Sequence, residues 1–144
     1  MSYGKDDWLL LLGRILMTTV FCQSLQHHLP DYPAWIGFLT HQGVPYPEIG
    51  GVLADTTIFV SVVLLLTGWY PRLLVLLLTI FILFASGFGH QFWNLSGDAR
   101  AAQYANFTKN FSLIGGLVFY WVAGPGRLVL RRPWWLPAPA EAEI

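Results

Sequence analysis

From Leu73 to Ala85, thirteen consecutive residues carry a single polar side chain, Thr79. Taken out to its flanks, about Pro71 to Trp93, the run exceeds the roughly 20 apolar residues that cross a bilayer as a helix. In hydrocarbon every backbone polar group must be satisfied inside the segment, so such a run is confined to helix. Three more candidate spans follow the same rule, at about Trp8–Leu29, Ile49–Trp69 and Ala101–Ala123. The fourth has a polar start, so its outer boundary is the least defined. The expected fold is therefore all-α, a polytopic membrane protein built as one four-transmembrane-helix bundle over residues 1–144, with an interfacial tail over 124–144.

Composition supports that class. Hydrophobic residues make up 55% of the chain, charged residues 11%, and mean hydropathy is +0.52. Soluble domains average about 25% charge. A net charge of zero gives no footprint for nucleic acid. The single Cys22 excludes an intramolecular disulfide and any multi-cysteine metal centre. The first run is expected to be a retained span: Asp6 and Asp7 cancel the weak positive start at Lys5, and no small-x-small cleavage site follows.

Punctuation between the runs is clear. Pro30, Pro33, Pro45 and Pro47 mark the first loop. Trp35, Ile36, Phe38 and Leu39 within it suggest a short interfacial helix. Pro71 suits the first turn of the third span, where its missing N–H costs nothing. Gly124, Pro125 and Gly126 stop the fourth. Lys5, Arg14, Arg72, Arg127, Arg131 and Arg132 lie on one side, against Arg100 and the deeper Lys109 on the other. The positive-inside rule then puts both termini in the cytoplasm.

Ionisable residues inside spans are costly and are functional candidates by default. Asp55 and Lys109 each fall roughly 10 Å below the outer end of their helix at 1.5 Å per residue. Gln23, Gln26, His27 and His90 lie in the same outer half. At 100° per residue, Ala102, Ala105, Asn106, Lys109, Ser112, Gly116 and Ala123 share one face of the fourth span, opposite Phe107, Phe111, Ile114, Val118 and Val122. Thr79, Leu83, Ser86 and His90 align on the third span. Lys109 is thus expected to point inward with Asp55 as its counter-charge. Gln23, His27, Asp55, His90, Asn106 and Lys109 form the candidate polar cluster, suited to a polar ligand group or a proton relay. The alternative is a buried Asp55–Lys109 pair that only locks the helices. Arg14 lies half a turn out of phase with Gln23 and is expected to snorkel to lipid phosphates. Arg72, Arg127, Arg131, Arg132, Trp134 and Trp135 complete the expected interfacial set. His27 and His90 lie at matching depth for a haem, and no zinc-type spacing occurs. No metal and no covalent cofactor are expected.

These residues together resemble the DoxX family of small four-helix bacterial membrane proteins. The carrying stretches are LLLLGRILMTTVFCQSLQH with Arg14, LADTTIFVSVVLLLTGWYPRLL with Asp55 and Arg72, FASGFGHQFWN with His90, and YANFTKNFSLIGGLVFYWVAGPGRLVL with Lys109 and Asn110. Asp55 stands where members often carry glutamate. The resemblance implies an inner-membrane accessory subunit of a respiratory or redox complex, packed against a larger partner and bordering a quinone site, and not catalytic alone. A scaffold or assembly subunit is the second reading, and an independent quinone-reducing enzyme the third.

Overall fold

The computed structural model describes residues 3–131. Five α-helices make up the described chain: α1 (Lys5–His28), α2 (Tyr32–His41), α3 (Pro47–Thr67), α4 (Pro71–Gly89) and α5 (Gly97–Ala123), with a 3-10 turn at Phe92–Asn94 before α5. The all-α expectation holds, and the first loop does contain a helix. Asp31 caps α2 by accepting from the Ala34 amide at 3.1 Å, and Pro33 sits in its first turn. Pro47 and Pro71 open α3 and α4, as their preset φ favours. Gly124 ends α5 at φ 74°, a left-handed φ that favours glycine.

Among the described residues, three segments are long and apolar enough to cross a membrane: Lys5–His28, Pro47–Thr67 and Pro71–Asn94. Helix α5 has the length, at 27 residues, or about 40 Å at the helical rise. Its first half is polar, with Asp98, Arg100, Gln103, Asn106, Lys109 and Asn110 before the apolar run begins. The third span stops being α-helical earlier than its hydropathy suggests. Gly89 is the last residue of α4, and His90 leaves helical geometry at φ −127°, ψ 52°.

Helix α3 packs against α1 on one side and α4 on the other, α5 packs on α4, and α2 lies across α3. Phe21, Ile58, Leu65, Leu74, Leu78 and Leu117 anchor the core. It fills mainly the half of the bundle that carries the α3–α4 turn, the start of α1 and the end of α5. There the segment after α5 folds back. The Leu130 amide donates to the Thr67 carbonyl at 2.9 Å, and Trp69 Nε1 donates to the Leu130 carbonyl at 2.8 Å. Asp7 accepts from the amides of Gly4 and Arg127, each at 2.9 Å.

Arg14 belongs to this clasp and corrects the lipid-facing expectation. It is 1% exposed, and its Nη2 donates to the Leu128 carbonyl. Asp7, Arg14, Phe21 and His28 recur every seven residues, so Arg14 shares its stripe with Phe21 rather than Gln23. A seven-residue spacing keeps side chains on one face. Arg72, Arg127 and Arg131 lie at this same end. Arg72 packs over the Trp121 ring at 5.8 Å, and Arg127 over Tyr3 at 5.8 Å. Arg132, Trp134 and Trp135 fall outside the described residues.

The expected inward faces also need rotation. On α5 the buried stripe is Asn110, Leu117 and Tyr120, with Leu113 and Ile114 half-buried between them. Ser112 and Lys109 lie outside it. On α4 the buried stripe is Leu74, Val75, Leu78, Ile82 and Ser86, while Leu83 is exposed. In both helices large apolar side chains win the interior, and only Ser86 and Asn110 join them as polar members.

Candidate functional site

The half of the bundle away from the α3–α4 turn is not filled. An open cleft of about 980 Å3 lies there, lined by residues of all five helices. Helices α1 and α5 have few close backbone approaches, which leaves the space between them. Leu53, Ile58, Phe81, Ile82, Phe84 and Phe88 give it apolar walls. A mostly apolar concavity with a few convergent polar groups is the usual form of a small-molecule site.

Five of the six expected cluster residues line this cleft: Gln23, His27, His90, Asn106 and Lys109. The sixth, Asp55, stands just behind it and is buried. Its partner is not Lys109. Asp55 Oδ1 lies 2.6 Å from His28 Nδ1, within hydrogen-bond distance. Lys109 instead donates to Asn106 Oδ1, one turn earlier on its own helix, at 3.2 Å. The reason is helix order: α1 is the neighbour of α3, whereas α5 sits beyond α4. The expected Asp55–Lys109 lock is therefore absent.

His28 is fixed on a second side. Its ring stacks on Trp35 of α2 with centroids 3.6 Å apart and planes 6° from parallel. Three helices thus meet at one imidazole: α1 supplies it, α3 the carboxylate and α2 the stacking ring. His28 and Trp35 both line the cleft. Further round, His90 Nδ1 pairs with Gln103 Oε1 at 2.8 Å, joining the end of α4 to α5. Buried Asn110 donates to Ser86 Oγ at 3.0 Å, and Ser86 in turn donates to the Ile82 carbonyl at 2.7 Å. Gln91 Nε2 reaches the Gln42 carbonyl at 3.3 Å and ties the α4–α5 connection to the end of α2.

Sequence reasoning placed His27 in the cluster and left out His28, Trp35, Ser86, Gln103 and Asn110 as site residues. The seven-residue stripe through Asp7, Arg14 and Phe21 carries the missing signal for His28. Asn110 is the neighbour of Lys109 on the buried side, seven residues before Leu117.

The DoxX family profile matches residues 9–91 of the chain, from the second turn of α1 to just past α4. That interval includes Arg14, His28, Trp35 and Asp55. The chain belongs to the DoxX family. This DoxX-family chain is also similar to inner membrane protein YphA of Escherichia coli (strain K12), with 27% identity over 124 residues, 86% of this chain and 89% of that protein. No solved structure matches it significantly.

Chemically, the cleft offers apolar walls, an amide-bearing rim and two contrasting basic groups. One is an imidazole backed by a carboxylate. The other is an ammonium on α5 with only a neutral amide beside it. A small molecule with both polar and apolar parts fits this distribution.

Proposed function

We propose that this DoxX-family chain is a four-span protein of the bacterial inner membrane, with both termini in the cytoplasm. In this reading its cleft opens in the outer half and takes the headgroup of a membrane quinone, beside a larger redox partner. The cleft itself carries the reading. It is of ligand size, its walls are apolar, and its polar groups come from separate helices. The relative's description as an inner membrane protein supports the location. The excess of Lys and Arg at the clasped end supports the orientation. The length of α5 and its packing along α4 support a fourth crossing. Exposed apolar side chains such as Leu9, Leu16, Phe59, Leu76, Phe84 and Phe119 suit lipid or a partner subunit.

Purification in mild detergent, with extraction of bound quinone and identification of accompanying proteins, tests this. Quinone in near-stoichiometric amount together with a redox protein is the expected result. A lone protein carrying no quinone overturns it and leaves a scaffold role, in which the polar contacts serve only to join helices.

A further inference from the structure

The His28–Asp55–Trp35 cluster is built more tightly than a helix lock needs. Asp55 holds the Nδ1 edge of the ring at 2.6 Å, and Trp35 covers one face. Nε2 has no hydrogen-bond partner among the described residues, and His28 lines the cleft. Two buried polar atoms beside it, Asp55 Oδ2 and Trp35 Nε1, also lack a partner among the described residues. Buried polar atoms are paired in most proteins, and exceptions ask for a reason. An imidazole held this way has one edge committed and the other left for a guest. In a neutral ring, a carboxylate that accepts from Nδ1–H leaves the lone pair on Nε2, facing the cleft. A group facing that edge must bring a hydrogen, not another acceptor.

We propose that His28, oriented by Asp55 and Trp35, accepts a hydrogen bond from a hydroxyl of the bound headgroup, so that the cleft selects the reduced hydroquinone over the oxidised quinone. This rests on the headgroup reading above and sharpens it. A quinone carbonyl would set its lone pairs against Nε2 and leave both acceptors unpaired. The hydroquinone hydroxyl satisfies Nε2, and the ring lies among the apolar walls. Lys109 and Asn106, on a separate wall, are free to meet the second oxygen, which accepts in either redox state. Discrimination therefore lies at His28. No electron transfer is involved in this selection.

The test uses the full chain in lipid nanodiscs with two probes, decylubiquinone and anaerobically maintained decylubiquinol, and empty nanodiscs to subtract partitioning. The reduced probe is expected to bind about tenfold more tightly, the effect of one well-made hydrogen bond. His28→Phe keeps a ring against Trp35 and is expected to bring the two affinities together. Nitrogen-15 labelling of the histidines in the wild-type chain gives a second readout, independent of how that variant folds. The His28 Nε2 signal is expected to move with decylubiquinol and to stay with decylubiquinone. Equal affinity of the wild type for both probes, or an unchanged preference in His28→Phe, overturns the selection by His28 while leaving quinone binding intact. An Nε2 signal indifferent to decylubiquinol overturns it as well. Retention of neither probe above empty nanodiscs removes this inference and the headgroup reading together.

Discussion

Lys109 bonds one neutral neighbour on its own helix and remains exposed. Its replacement is therefore expected to cost the bundle little. Lys109→Met should stay within about 0.5 kcal/mol of wild type in detergent unfolding, the usual range for a surface change away from a network. Asp55→Ala should cost about 1–3 kcal/mol, because it strips the partner from a half-buried imidazole. Equal losses for the two variants would contradict the pairing described. That Gln23, His27, His90, Asn106 and Lys109 gather around one cleft was legible in the sequence, since it depends only on counting along each helix. Their partners were not. Whether Asp55 meets Lys109 or His28 depends on which helices are neighbours, and hydropathy carries no information on that. The phase of α1 was legible in principle. Taking Gln23 as its origin, instead of the stripe through Phe21, displaced both Arg14 and His28.

At the scale of elements, helix limits were legible because prolines and glycines act locally. Pro47, Pro71 and Gly124 mark boundaries by their own backbone restrictions, with no need of a neighbour. Faces were less legible, because apolar residues in a lipid-facing helix surround it on all sides and periodicity fades. Close approaches between elements were not legible either. Gly68 sits at φ 76°, and a Cβ there would come 2.6 Å from Val129 Cγ1 and closer still to Arg14 Nη1. Gly68→Ala is expected to destabilise by about 1–3 kcal/mol, since both the left-handed backbone and the contact oppose it. Hydrogen exchange at the Leu130 amide, which bonds to Thr67, reads the effect directly. Faster exchange there than at the Leu117 amide in the core is the expected pattern. Unchanged exchange would show that the clasp does not depend on this glycine.

For the whole molecule, the sidedness of the bundle is open to a direct measurement. In a Cys22→Ser background, Asp31→Cys and Asp98→Cys should react with an impermeant maleimide added to intact spheroplasts. Lys5→Cys and Arg127→Cys should react only after lysis. Labelling of positions 98 and 127 from the same side would mean that α5 does not cross. The clasp has a further consequence, for the order in which the molecule can be completed. Arg14 enters the membrane early in synthesis, yet the carbonyl it bonds belongs to Leu128, more than a hundred residues later. Until that carbonyl arrives, a guanidinium waits inside the first helix without this acceptor, and such a group is costly in lipid. The clasp thus stays unmade until the segment after α5 has been synthesised. A chain ending at Ala123 is expected to be cleared by membrane proteolysis, and replacing Arg14 with Leu in that shortened chain should restore its abundance.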